Sequence, residues 1–223
     1  MKRALAIFAK APLPGRVKTR LSPSLSPQQA ADLYRCMLLD TLERVGALDA
    51  EKVIFHEGEA AFFREAAPGA SLVAQAAGAL GTRLEHACDT LRSMGYGPCV
   101  VIGTDSPDLP LAYIEDAFRM LEQGGDAVFG PAGDGGYYLI GLRDGYRSLF
   151  RDIPWSSEKV LEKSLVQAKA SGFSATLLPP WHDLDCYEDL LRPDLMDPAN
   201  GAVRTRAFIA GLDLALPPAA GAF

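Results

Sequence analysis

Strand-like and helix-like stretches alternate along this chain and predict an α/β protein. The expected form is a Rossmann-like three-layer sandwich, with a mostly parallel sheet of about seven strands and helices on both faces. Three observations carry the prediction. Short apolar runs such as residues 99–102 are of the kind that a sheet buries on both faces. Helical periods fill the intervals, as in residues 111–122, where Ile114, Ala117, Phe118 and Leu121 recur at helical spacing. Charged or glycine-rich loops follow the strands, at the ends where open α/β sheets bind ligands. With 223 residues, 48% of them hydrophobic, the chain can bury the core of one such domain. Residues 1–212 are expected to form that domain, and the Pro/Ala/Gly-rich residues 213–223 a frayed tail.

Residues 3–8 read as the first strand. The loop after them packs Lys10, Arg16, Lys18 and Arg20 around Gly15. Gly15 can take a positive φ or let a ligand approach the backbone. The four cations suit a polyphosphate, with arginine adding planar two-point contacts. The bland alternative is a solvated basic loop stiffened by Pro12 and Pro14. Neither a Walker loop nor a dinucleotide fingerprint is present. Ser26 then caps a helix with Pro27 at its first position, running to about residue 45 with Leu33, Met37, Leu38, Thr41 and Leu42 inward. A strand at 52–55, a short helix at 60–66 and a strand at 71–74 follow. Gly78, Gly81 and Arg83 introduce a helix at 80–94, with Leu84, Ala87, Cys88 and Leu91 inward. Arg83 faces either a nucleotide or a carboxylate on a nearby helix.

The strand at 99–102 delivers Asp105 and Asp108 into a loop stiffened by Pro107 and Pro110. These acids, with no basic neighbour in sequence, either hold a hard cation against a phosphate or shape the turn and cap the next helix. A strand at 126–129 leads to Asp134-Gly135-Gly136. That triplet is a hairpin signal, or a place where Gly135 and Gly136 offer amides to a substrate beside Asp134. Ser156 or Ser157 is expected to cap a helix that runs to about residue 170 and stops at Gly172. After a strand at 175–178, Asp183 and Asp185 stand two apart and, if extended, point the same way. His182, beside Trp181, reads as structural. Glu188 and Asp189 suit the first turn of a helix, and a last helix is expected at 203–212.

The chain carries 22 Lys and Arg against 28 Asp and Glu, a formal net charge of -6. A nucleic-acid partner is not expected from that balance. The first apolar run is too short for a signal segment, and no stretch is long enough to span a bilayer. Cys36, Cys88, Cys99 and Cys186 are scattered with no Cys-x-x-Cys pair, so reduced thiols and a cytoplasmic location are expected. If the charged loops share one sheet edge, they bring together cations for phosphate, carboxylates for a divalent metal and glycine loops for a base or sugar. Phosphoryl and glycosyl transfer need that set, with magnesium or manganese as the metal.

Five motifs in order extend this reading: Ala9-Lys10-Ala11-Pro12-x-Pro14-Gly15-x-Val17-Lys18-Thr19-Arg20-Leu21, Leu80-Gly81-x-Arg83, Gly103-Thr104-Asp105-Ser106-Pro107, Gly130-Pro131-x-x-Asp134-Gly135-Gly136-Tyr137-Tyr138-Leu139-Ile140-Gly141 and Asp183-x-Asp185. Together they resemble the radical-SAM/selenodomain-associated glycosyltransferase family, within the nucleotide-diphospho-sugar transferases of the GT-A fold. They are also similar to the guanylyltransferases of molybdenum cofactor and phospholactate. The resemblance covers about residues 3–190. It implies a nucleotide site on Ala9, Lys10, Gly15, Lys18 and Arg20, joined by Gly81, Arg83 and Thr104. It implies a magnesium or manganese ion on Asp105 with Asp183 or Asp185, and an acceptor side at Gly135, Gly136 and Tyr137. Asp105, Lys18 and Asp134 are the implied catalytic residues. The implied reaction is metal-dependent glycosyl transfer from a nucleotide-sugar donor to a small acceptor. Nucleotidyl transfer with pyrophosphate release and a non-catalytic nucleotide-binding module are the alternatives. Cys186 stands where the family's pattern leads one to expect threonine.

Overall fold

A computed structural model of the chain describes residues 2–22, 24–143 and 146–212. Its sheet has seven strands: β1 (Lys2–Lys10), β2 (Glu51–Glu57), β3 (Ser71–Ala74), β4 (Tyr96–Ile102), β5 (Ala127–Pro131), β6 (Tyr137–Leu142) and β7 (Ala175–Leu177). They lie in the order β3-β2-β1-β4-β6-β5-β7. Every neighbouring pair is parallel except β4–β6 and β5–β6. All strands but β6 therefore point the same way. Their carboxyl ends share one edge with the amino end of β6.

The α-helices are α1 (Pro27–Val45), α2 (Ala60–Ala66), α3 (Leu80–Ser93), α4 (Leu111–Glu122), α5 (Val160–Ala170), α6 (Tyr187–Leu190) and α7 (Val203–Ala210). The start of α1 follows from local chemistry. The Ser26 hydroxyl accepts from the Gln29 amide at 3.2 Å, and the Gln29 side chain accepts from the Ser26 amide at 2.9 Å. Pro27 fits the first position, where its missing N–H costs nothing.

Alternation along β1 makes the two cores. Leu5 and Ile7 pack with Ile54, Val100, Ile114 and Phe118 on one face. Ala4 and Ala6 face the other way, toward Val53, Phe55, Leu84 and Val101. A third cluster joins Leu33 and Met37 of α1 to Leu184, Leu190 and Ile209, and so seats the segment after β7 against α1. The cysteines are free, and the Cys88 and Cys99 sulfurs lie 3.0 Å apart between α3 and β4.

The Asp134 turn closes a β5–β6 hairpin, as its glycines suggest. One helix start differs from the reading of the sequence. Neither Ser156 nor Ser157 caps α5, which begins at Val160 after Lys159. The Ser157 hydroxyl instead donates to the Pro154 carbonyl at 2.7 Å and accepts from the Lys159 amide at 3.3 Å, closing a separate turn. The expected tail at 213–223 lies outside the described residues, as do Met1, Pro23, Asp144 and Gly145. Among the described residues no helix is long and apolar enough to cross a membrane.

Candidate functional site

Strand order reverses between β1 and β4, and a cleft of about 430 Å³ opens at that edge. In open α/β sheets this switch point is where loops diverge and leave room for a ligand. The cleft is lined from the β1 loop by Lys10, Arg16, Lys18 and Arg20, from the β4 loop by Thr104 and Asp105, and from beyond β7 by Asp185.

The β1 loop leaves the sheet through a tight turn. The Arg16 amide donates to the Leu13 carbonyl at 3.0 Å, with Pro14 and Gly15 between them and Gly15 at φ 71. That is the residue order a type II turn demands. Gly15 thus shapes the loop and does not line the cleft. Lys18 follows in the left-handed region, at φ 49 and ψ 39. A side chain rarely adopts that backbone unless its surroundings hold it there.

The surroundings of Lys18 are three oxygens. Its ammonium lies 2.5 Å from Asp105 Oδ1 and 2.7 Å from Asp185 Oδ1, and donates to the Leu184 carbonyl at 2.6 Å. Only 4% of its side chain is exposed, whereas Asp105 and Asp185 are 47% and 36% exposed on the cleft side. Burial pulls the lysine pKa down, but the two carboxylates more than offset this and hold it above the ordinary range. Residues more than 160 positions apart thus meet in one charged knot.

The knot is supported from behind. The Leu184 amide donates to the Asp105 carbonyl at 2.8 Å, which ties the segment after β7 to the β4 loop. Ser106 donates its hydroxyl to Asp183 Oδ1 at 2.7 Å. Asp183 thus spends this oxygen on Ser106 and is part-buried. Burial pushes its carboxyl up to about 7, with the nearby charges of Asp105 and Asp185 adding to the rise and the Ser106 bond opposing it. Asp189 accepts from the amides of Asp185 and Cys186 at 2.7 and 2.8 Å, fixing the backbone that carries Asp185. Cys186 thus sits at the start of α6, with Asp189 taking its amide hydrogen. Asp108, by contrast buried, accepts from Arg192 at 3.1 Å and from the Trp181 indole at 3.3 Å. Of the two acids in the β4 loop, Asp105 faces the cleft and Asp108 serves the fold.

On the other side, Arg83 lines the cleft and is 3.1 Å from Glu57 at the end of β2, with Lys10 at 3.9 Å from the same carboxylate. The carboxylate beside Arg83 thus comes from a strand, not a helix. Gly81 has another role. A Cβ there would come within 2.9 Å of the Trp155 ring, so the glycine admits close packing. The amides of Gly135 and Gly136 are spent inside the hairpin turn, on the Ala132 carbonyl at 3.3 Å and on Asp134 Oδ1 at 2.9 Å. Asp134, Gly135 and Gly136 do not line the cleft. Tyr137, one residue on, does.

Two lining residues escaped the reading of the sequence. The Tyr34 hydroxyl accepts from the Lys10 amide at 2.9 Å and shares a hydrogen bond of 2.8 Å with Thr104 Oγ1. Gln75 donates to the carbonyls of Ala9 at 3.3 Å and Phe55 at 2.8 Å, and accepts from Arg83 at 3.3 Å. The position of Tyr34, four after Ala30 and three before Met37, could have flagged it as inward.

Among the described residues no three His, Cys, Asp or Glu side chains form a ready-made metal cluster. Lys18 is interposed between Asp105 and Asp185, and Asp183 is drawn onto Ser106. The donor set around the ammonium nevertheless suits a hard divalent cation, with two carboxylates and one carbonyl converging on one point.

No protein of curated function matches the chain in sequence. Solved structures do. A protein of Desulfovibrio desulfuricans G20, provisionally assigned as a nucleotide-diphospho-sugar transferase, is 32% identical over 94% of this chain and 95% of its own, with a TM-score of 0.86. A cytidylyltransferase of Leptospira borgpetersenii is 17% identical over 97% of this chain and all of its own, with a TM-score of 0.56. A CMP:2-keto-3-deoxy-manno-octonic acid synthetase, solved with CTP, is 12% identical over 86% of this chain and 96% of its own, with a TM-score of 0.54. The last two share the fold at low identity. Residues 38–157, more than half of the chain, match the family described as uncharacterized protein conserved in bacteria, DUF2064, and the chain belongs to that family.

Proposed function

We propose that the protein is a divalent-metal-dependent transferase that takes a nucleotide-sugar donor and passes the sugar to a small acceptor. The observation that carries this reading is the meeting of Lys18 with Asp105 and Asp185 at the switch point, in a cleft rimmed by Lys10, Arg16 and Arg20. The assignment of the Desulfovibrio protein as a nucleotide-diphospho-sugar transferase supports the donor class. So does the resemblance of the five motifs to the radical-SAM-associated glycosyltransferases.

Asp105 and Asp185 would hold magnesium or manganese, with the Leu184 carbonyl as a third oxygen. A bound divalent ion draws charge from diphosphate oxygens as the leaving nucleotide departs. Arg20, 71% exposed, can turn its guanidinium to the distal phosphate, and Lys10 and Arg16 face the same space. Tyr34 and Gln75 hold the β1 backbone in place through Lys10 and Ala9, so that the loop is ordered before the donor arrives. Tyr137 bounds the far side of the cleft, where an acceptor would enter. The four free cysteines fit a reducing compartment, and the cytoplasm is the proposed setting.

Nucleotidyl transfer from a nucleoside triphosphate is the second reading. Its specific support is the surplus of cations on the β1 loop, which exceeds what a diphosphate needs for neutralisation. One experiment separates the two. The protein is incubated with magnesium and a panel of nucleotide sugars or nucleoside triphosphates with sugar phosphates, and products are resolved by mass. Free nucleoside diphosphate supports glycosyl transfer, and pyrophosphate supports nucleotidyl transfer. Neither product from any donor, with no thermal stabilisation by any of them, counts against the transferase reading.

A further inference from the structure

The Lys18 ammonium sits where the proposed metal would sit. Its three contacts, at 2.5, 2.7 and 2.6 Å, go to Asp105 Oδ1, Asp185 Oδ1 and the Leu184 carbonyl oxygen. An ammonium has three donors, and all three acceptors here are protein oxygens. Lys18 in this position has no donor left for a phosphate. A divalent ion could not share the centre either, because two cations would then lie within contact distance of each other.

We propose that Lys18 is a resident counter-ion of the Asp105–Asp185 pair, displaced by the divalent cation and released toward the donor's phosphates. The proposal rests on the metal-dependent reading above and specifies what the cation must do to enter. Charge arithmetic favours the exchange. The Lys18 ammonium offsets only one of the two carboxylates, and the second is met loosely by the exposed Arg20 guanidinium, 3.6 Å from Asp185 Oδ2; a divalent ion matches both by itself, and the freed lysine carries its charge to the cleft. The backbone of Lys18 favours it as well. The residue is held at φ 49, a conformation that its own Cβ disfavours, so release of the side chain lets the loop relax. The way out is open, since Lys18 lines the cleft beside Arg20 and Asp105 is half-exposed to it.

The test is calorimetric titration of Mn2+ alone into the wild-type chain, Lys18→Met, Arg16→Met and the double variant Lys18→Met/Asp105→Asn. Met is unbranched and one atom shorter than Lys, and it empties the cradle of its cation. Lys18→Met is expected to bind one Mn2+ at least tenfold more tightly than wild type. The double variant is expected to lose that gain. Arg16→Met removes the same charge from the same loop and is expected to gain less than threefold. An equal gain in Arg16→Met, or none in Lys18→Met, overturns the proposal. If Lys18→Met gains nothing while wild type binds Mn2+ together with CTP, GTP or UTP, the exchange is wrong and the metal reading stands. Should Lys18→Met fail to fold, lysine-selective NMR of the wild-type chain with Mg2+ decides. The Lys18 side-chain signal is expected to shift together with the Asp105 carboxylate signal. A Lys18 signal that stays fixed while Asp105 moves overturns the exchange, and no movement of either sinks the metal reading with it.

Discussion

The buried hydroxyls of Tyr34 and Thr104 lie 2.8 Å apart and join α1 to the loop that carries Asp105. Tyr34 also accepts the Lys10 amide hydrogen, so one phenol organises both walls of the cleft. Burial, with the Asp105 charge nearby, pushes its pKa up to about 12, which keeps the hydroxyl protonated. Tyr34→Phe strands the buried Thr104 hydroxyl and leaves the part-buried Lys10 amide without its acceptor. The expected loss is about 1–3 kcal/mol of stability by urea denaturation. Thr104→Val in the Tyr34→Phe background is expected to cost less than in wild type, because the pair acts as a unit.

Asp105→Asn keeps the size of the side chain and removes its charge. Metal-dependent nucleotide affinity is expected to fall at least tenfold, about 1.4 kcal/mol by titration. Binding unchanged within twofold would exclude Asp105 as a cation ligand. Arg20→Ala, at an exposed residue, should leave the melting temperature nearly unchanged. It should weaken nucleoside triphosphate more than monophosphate. Equal losses for the two would mean that Arg20 serves the base or the fold.

Asp183 makes stability depend on pH. Its carboxyl titrates near 7 in the folded chain, against an ordinary value of 3.8. Between those values the folded state keeps a proton that the unfolded chain has given up. The stabilisation is full below about pH 3.8 and is lost as pH rises through 7. Asp183→Asn retains an acceptor for Ser106 and removes the titration. Urea unfolding without divalent ions should show wild-type stability falling from pH 4.5 to pH 8, and the variant following a flatter curve. Parallel curves would argue against a proton-holding Asp183.

Gly135 and Gly133 lie two residues apart in one turn and should respond differently to alanine. At Gly135, φ is +84 and a Cβ would lie 2.0 Å from the Glu158 carbonyl oxygen, while at Gly133 nothing lies within 4 Å. Gly135→Ala is expected to cost about 3 kcal/mol or more in thermal or urea unfolding. Gly133→Ala should stay within about 0.5 kcal/mol of wild type. A mild Gly135→Ala would show that the segment before α5 gives way.

The elements were legible where local rules suffice. Ser26 with Pro27 marks the start of α1, Asp134-Gly135-Gly136 marks a hairpin, and the apolar run ending at Ile102 marks a buried strand. The start of α5 was not legible, because Ser157 spends its hydroxyl on Pro154 and Lys159 instead of capping the helix. The roles of Tyr34 and Gln75 were not legible, because their partners lie on distant segments: the Lys10 amide and Thr104 for Tyr34, and the Ala9 and Phe55 carbonyls with Arg83 for Gln75.

By itself the sequence determined the alternation of strands and helices and the placing of charged loops after strands. Hydrophobic periodicity and turn chemistry act over a few residues, and those features follow from them. Lys10, Arg16, Lys18 and Arg20 look equivalent on that scale, as do Asp105 with Asp108 and Asp183 with Asp185. Only the tertiary structure told them apart. It buried Lys18 between Asp105 and Asp185, gave Asp108 to Arg192 and Asp183 to Ser106, and left Arg20 exposed, 3.6 Å from Asp185. The physical reason is that desolvation and charge pairing depend on which distant strand ends the sheet order brings together, and no local rule carries that information.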